Sequence, residues 1–138
     1  MKNILVLCTG NSCRSQIAEG YLRHYADNKA TIYSAGIETH GVNPKAIAVM
    51  AADGIDLLAH TSNHVDEYMH IPFDYVITVC DNANEACPYF PGDVKRFHYN
   101  FADPAKAKGT VDDVIAEFIR VRDMIKAYTY DFVKQHIK

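Results

Sequence analysis

The chain carries no excess of positive charge: 14 Lys and Arg stand against 17 Asp and Glu over 138 residues, a formal charge of −3. That balance supplies no basic field for nucleic acid or an anionic membrane, so any anion has to be drawn in by a local site. No apolar run approaches the roughly 20 residues that span a bilayer. Met1-Lys2-Asn3 leads into a strand-like segment rather than a secretory leader. A cytoplasmic protein with neither membrane nor nucleic-acid partner is the expectation. Cysteine is sparse, at four residues. In a reducing compartment these are thiols with catalytic, redox or metal roles rather than a disulfide framework. Neither Cys8-x4-Cys13 nor Cys80-x6-Cys87 has the close spacing of zinc ligand pairs, and the seven histidines do not cluster. Repeats, low-complexity tracts and linkers are also missing. A single domain over 1–138 is expected, since that length supports one core but not two.

What is present is alternation of strand-like and helix-like segments. Ile4 to Leu7 is a continuous apolar run suited to a strand buried on both faces, and it stops at Cys8-Thr9-Gly10-Asn11-Ser12. From Ser15, a residue able to cap a helix, Ile17, Ala18, Tyr21, Leu22 and Tyr25 recur at helical spacing. Thr31 to Ser34 is β-prone, and Asn43-Pro44 opens a helix running to about Asp53 before Gly54. Asn63 to His70 reads as a short helix, Phe73 to Val79 as a third strand and Lys95 to His98 as a weaker fourth. An apolar stripe from Val111 to about Gln135 predicts the longest helix. Strands alternating with helices imply an α/β fold with a parallel sheet covered on both faces.

The spacing Cys8-x5-Arg14-Ser15 lies between a buried strand and a helix, where successive backbone N–H groups can curl around an anion at the helix's positive end. Arg14 adds a permanently charged fork for two oxygens of a tetrahedral dianion, and Gly10 admits backbone angles that other residues resist. The same field, with a hydrogen bond from Ser15, favours the nucleophilic thiolate of Cys8. Thr9, Gly10, Asn11, Ser12, Cys13, Arg14 and Ser15 are therefore the expected oxyanion-binding residues.

This string resembles the low-molecular-weight tyrosine phosphatase fold and, within it, the thioredoxin-coupled arsenate reductases. The resemblance extends over nearly the whole chain through Ser34-Ala35-Gly36-Ile37-Glu38, Gly41-Val42-Asn43-Pro44, Thr78-Val79-Cys80, Cys87-Pro88 and Asp103-Pro104. It implies a three-layer sandwich, with a four-stranded parallel sheet flanked by helices. A phosphatase of this kind needs one thiolate, an arginine and an acid, and consumes no electrons. Reduction of arsenate takes two electrons, which two thiols supply by becoming a disulfide, so a second cysteine has to reach Cys8. Cys80 follows the third strand, at the end of the sheet where ligand crevices form. Cys87 follows a polar stretch suited to a short helix that rearranges. In the reductases these two positions carry the redox pair. Gln16 and Ala105 stand where the phosphatases usually have proline and an aromatic residue, and both point to the reductases.

The resemblance implies a relay in which Cys8 attacks arsenate, Asp103 protonates the leaving oxygen, Cys80 forms a disulfide with Cys8, and Cys87 resolves it. Taken alone, Asp103 would read as an Asp-Pro turn residue. The expected partners are arsenate and thioredoxin, acting on a monomer without a bound organic cofactor. Cys13 is not required by the electron count. Potassium binding near the loop is a further property of the reductases, and Asn11, Glu19 and Ser34 match three of its side chains. At the fourth position Asn63 replaces an aspartate. Two other readings stay open: a tyrosine phosphatase, and a noncatalytic thiol sensor of oxyanions with Cys80 and Cys87 as its readout.

Overall fold

A computed structural model describes residues 1–137. Four strands, β1 (Lys2–Cys8), β2 (Ala30–Gly36), β3 (Tyr75–Thr78) and β4 (Lys95–His98), form one parallel sheet in the order β2-β1-β3-β4. The helices are α1 (Arg14–Ala26), α2 (Pro44–Ala52), α3 (Asp81–Glu85) and α4 (Val111–His136), with 3₁₀ turns at Val65–Tyr68 and Pro104–Lys106. Ile4, Leu5, Val6 and Leu7 are all fully buried. Successive side chains of a strand point to opposite faces, so both faces of the central strand are covered and the architecture is three-layered. No helix among the described residues is long and apolar enough to cross a membrane.

Each element has a local cause. Asn43 caps α2 by accepting from the Lys45 N–H, with Pro44 at the first helical position. Thr110 and Asp113 form a reciprocal capping box at the start of α4. That helix buries Phe118, Val121, Ile125 and Phe132 along one face, whereas Val111 in its first turn is exposed.

Three local expectations are corrected. The segment from Asn63 to His70 is not a helix but a single 3₁₀ turn at Val65–Tyr68. Its first residues are held extended: the Asn63 carbonyl accepts from the Gly36 N–H at 2.8 Å, and the Asn63 N–H donates to Asn11 Oδ1 at 2.7 Å. Secondly, β2 runs on through Ala35 and Gly36 because it pairs with β1 as far as Cys8. Thirdly, Ser15 does not cap α1. Cys13 occupies the cap position without a side-chain hydrogen bond, and the Ser15 hydroxyl turns to the Cys8 sulfur.

Candidate active site

The register sets the site. β1 and β3 are neighbours, with Leu7 opposite Thr78, so Cys8 and Cys80 emerge near one another at the carboxyl ends of adjacent central strands. In an open parallel sheet this is the end where ligands bind.

The loop after β1 is tied from outside through its carbonyls. Those of Cys8, Thr9 and Gly10 accept from the N–H groups of Ile37 (3.2 Å), Glu38 (2.8 Å) and His40 (2.9 Å). The Asn11 carbonyl accepts from Gln16 Nε2 at 3.0 Å, and that of Ser12 from the Asn43 N–H at 3.0 Å. By contrast, no N–H of Thr9, Gly10, Asn11, Ser12 or Cys13 donates to another described residue outside regular strands and helices. Arg14 and Ser15 open α1, where N–H groups have no partner within the helix. With the carbonyls turned outward, a run of N–H donors remains for an anion.

Two glycines permit this packing. A side chain on Gly36 would strike the backbone of Thr9, Asn11 and Glu38, and one on Gly10 would strike the His40 ring. Gly10 does not itself take a left-handed conformation. That strain falls on Asn11, at φ 48°, a conformation asparagine tolerates better than most residues.

Asn11 is fully buried and fixes the polarity of the network beneath the loop. Its Oδ1 accepts from the Asn63 N–H, which can only donate, so its amide nitrogen faces the other way. That nitrogen donates to Ser15 Oγ (2.8 Å) and to Ser34 Oγ (3.0 Å). The Ser15 hydroxyl hydrogen is then directed at Cys8 Sγ, 2.9 Å away, an arrangement suited to a sulfur that accepts and attacks. Ser34 passes its own hydrogen to Glu19, which also receives Arg23 Nε at 2.8 Å and lies 3.7 Å from His60. Asn11, Glu19 and Ser34 thus meet as the resemblance implies. As a donor set they do not fit a potassium ion: the amide nitrogen of Asn11, not its oxygen, faces Ser34, and two basic side chains flank Glu19. Asn63 turns its side chain toward Thr61 and Glu67 instead.

A cleft of about 220 Å³ opens over the loop, lined by Cys8, Thr9, Gly10, Ser12, Cys13, Arg14 and Asp103, together with His40, Ala105 and Lys106. It is several times the ~30 Å³ that a water molecule occupies in the liquid, enough for a small tetrahedral oxyanion. One Arg14 nitrogen donates to the Phe101 carbonyl at 3.0 Å, and another lies 3.7 Å from Asp103 Oδ2. The other Asp103 oxygen accepts from the Ala105 N–H at 3.0 Å, which holds the carboxyl at the cleft. His40 and Lys106 were not singled out by sequence reasoning, although His40 directly precedes the Gly41-Val42-Asn43-Pro44 motif.

All four cysteines are free thiols. The Cys80 sulfur lies 3.3 Å from the Thr9 hydroxyl, which accepts from Asn82 Nδ2 at 3.2 Å and so can give its hydrogen to that sulfur. Cys87 is half-buried and contacts its own neighbour, the Pro88 carbonyl, at 3.6 Å. Burial pushes its thiol up, partly offset by the nearby Arg96. Cys13 is buried in the loop, and desolvation pushes its thiol up to about 12, so near neutral pH it remains protonated and a poor nucleophile.

The family model described as low molecular weight phosphotyrosine protein phosphatase matches residues 3–138. An arsenate reductase of Bacillus licheniformis is 49% identical over 124 residues, covering 90% of this chain and 89% of that protein. One of Staphylococcus xylosus is 46% identical over 131 residues, or 95% of each. A structure described as an arsenate reductase in oxidized state superposes with a TM-score of 0.85 at 27% identity, covering 98% of both chains. The chain therefore belongs to the low molecular weight phosphotyrosine protein phosphatase family, in the branch whose members are named arsenate reductases.

Proposed function

We propose that the protein reduces arsenate to arsenite through three thiols, Cys8, Cys80 and Cys87, with thioredoxin restoring them, and so serves arsenic detoxification. The observation that carries this reading is the contact between Cys80 Sγ and the hydroxyl of Thr9, which brings a second thiol to the residue beside Cys8. A hydrolytic enzyme has no use for that thiol. The similarity to proteins named arsenate reductases supports the same reading.

Arsenate binds the loop N–H groups from Thr9 to Ser15 and the Arg14 guanidinium. The Cys8 sulfur, hydrogen-bonded by Ser15, attacks arsenic and forms an S–As bond, while Asp103 gives a proton to the departing oxygen. The Cys80 thiolate then attacks the Cys8 sulfur. An S–S bond forms, the S–As bond breaks, and its electron pair reduces arsenic from the +5 to the +3 state as arsenite leaves. Next the Cys87 thiolate attacks Cys80 and releases Cys8 as a thiolate. A dithiol reductant such as thioredoxin returns two electrons to the Cys80–Cys87 disulfide.

The last thiol exchange needs a rearrangement. Cys80 and Cys87 flank α3 and lie seven residues apart, about 10.5 Å of rise when counted along a helix, where a disulfide allows at most roughly 7 Å between Cα atoms. α3 has to unwind for the two sulfurs to join.

Hydrolysis of a phosphate ester is a second reading, favoured by the juxtaposition of Cys8, Arg14 and Asp103, which needs no further thiol. One assay separates the two: arsenate-dependent NADPH oxidation in the presence of thioredoxin and thioredoxin reductase. Sustained turnover is expected for the unsubstituted protein and is lost in Cys8→Ser, Cys80→Ser and Cys87→Ser. Full turnover in Cys80→Ser and Cys87→Ser would overturn the relay, and cleavage of an aryl phosphate by these variants without any reductase activity in the parent would favour hydrolysis.

A further inference from the structure

The short helix between the two relay thiols is held at one end by a pair of side chains that the chemistry above does not use. His98, the last residue of β4, places Nε2 2.7 Å from Asp81 Oδ1, and Asp81 is the first residue of α3. On its other side His98 Nδ1 lies 2.7 Å from Thr78 Oγ1, in the last residue of β3. A neutral imidazole satisfies both contacts in one tautomer, with Nε2–H donating to the carboxylate and Nδ1 accepting from the threonine hydroxyl. The Asp81 N–H adds a bond to Asn100 Oδ1 at 3.0 Å. Beyond α3 the restraint ends. No backbone-to-backbone hydrogen bond between described residues reaches 88–93, where the Pro88 carbonyl meets only the Cys87 thiol, and the aromatic contact of that stretch is Phe90 edge-on to Phe73, with ring centroids 5.8 Å apart.

We infer that His98 and Asp81 form a positioning clamp that fixes the root of α3 against the sheet and sets how readily Cys87 reaches Cys80. The inference rests on the reading of Cys87 as the resolving thiol. While the clamp is closed, α3 stays wound, Asn82 stays on the Thr9 hydroxyl, and Cys80 keeps its place beside the oxyanion loop. This is the arrangement required when Cys80 attacks Cys8. Opening the clamp lets α3 unwind, which the next exchange requires: the Cys87 thiolate attacks the Cys80 sulfur, the Cys80–Cys87 bond forms, the Cys8–Cys80 bond breaks, and Cys8 leaves as a thiolate with no net change in electrons. The pair therefore restrains the second exchange without touching substrate. Neither residue is dictated by packing, since His98 is partly exposed and Asp81 largely so.

The test is a single turnover of the reduced protein with arsenate and no reductant, quenched at intervals with an alkylating agent, with both disulfides quantified by mass spectrometry. In Asp81→Ala and in His98→Ala the Cys8–Cys80 species is expected to decay about fivefold faster, the upper range of what one partly exposed charge-assisted contact supplies. The KM for arsenate stays unchanged, since neither residue lines the oxyanion cleft, and formation of the Cys8–Cys80 species is not accelerated. Asp81→Asn keeps an oxygen acceptor for His98 without the charge and should bring the decay back most of the way to the parent rate, which a merely structural role would not require. Unchanged or slower decay in both alanine variants would overturn the clamp. Failure of the unsubstituted protein to form any Cys80–Cys87 disulfide would overturn the relay, and the clamp with it.

Discussion

The loop from Cys8 to Ser15 and the segment from Asp81 to Asp93 face the same sulfur chemistry and are built in opposite ways. In the loop the carbonyls from Cys8 to Cys13 all accept a hydrogen bond, and the side chains of Asn11, Ser15 and Gln16 are fully buried beneath it. In the segment, α3 is five residues long, Asp81 and Glu85 are exposed, and the stretch after it is anchored chiefly by Phe90. A tetrahedral anion is recognised by donors already in place, because donors that must reorganise give up their advantage at the moment of reaction. A thiol handed from one partner to another needs freedom that a packed loop does not have. One half of the site is therefore prearranged for binding and the other half is left able to move.

The comparison breaks first at Asn11. Its side chain makes three hydrogen bonds, to Asn63, Ser15 and Ser34, the last two fully buried. Asn11→Ala leaves those partners unsatisfied and puts a Cβ-bearing residue other than asparagine at a positive φ. We expect a loss of about 2–4 kcal/mol in urea unfolding, together with loss of phosphate or arsenate binding. A change under about 0.5 kcal/mol with intact anion binding would mean that the loop does not depend on its buried frame.

A smaller effect belongs to Cys13, the loop thiol that the relay does not use. Its thiol is pushed up from 9.0 to about 12 by burial. Above pH 9 the unfolded chain loses this proton while the folded chain keeps it, so the unfolded state binds fewer protons and stability falls as pH rises. Cys13 alone contributes a slope that approaches about 1.4 kcal/mol per pH unit between 9 and 12. Measured as urea midpoints at pH 8 and pH 10, the parent should lose more stability than Cys13→Ala. Equal losses would contradict the assignment.

How much of this was legible in the sequence follows from how local each feature is. The oxyanion loop is one contiguous string flanked by its own strand and helix, so Cys8, Arg14 and the donor run are readable from eight residues. Cys80 stood out through a rule about strand ends, and in the fold its sulfur lies 3.3 Å from the Thr9 hydroxyl because β3 pairs with β1. Choices between two partners for one group were not readable. Ser15 can cap a helix or bond a sulfur, and only the fold brings Cys8 to within 2.9 Å of it. Gly10 suggested an unusual backbone angle, whereas its use is to let His40 approach, and Asn11 carries the left-handed conformation. Asn63 to His70 has a helical composition, but long-range bonds to Gly36 and Asn11 hold its start extended. Gln16 stood out only as a departure from proline. In the fold its amide nitrogen bonds the carbonyls of Asn11 and Thr61, and its oxygen meets His60, which links loop and helix to a segment 45 residues away.

The most direct test of the account is to expose the fully reduced protein, with its four free thiols, to excess arsenate without any reductant and to count both products. One arsenite per chain, with two thiols lost and the bond mapped to Cys80–Cys87, is the predicted result. Absence of arsenite, or arsenite formed with a terminal disulfide that leaves Cys87 free, would contradict it.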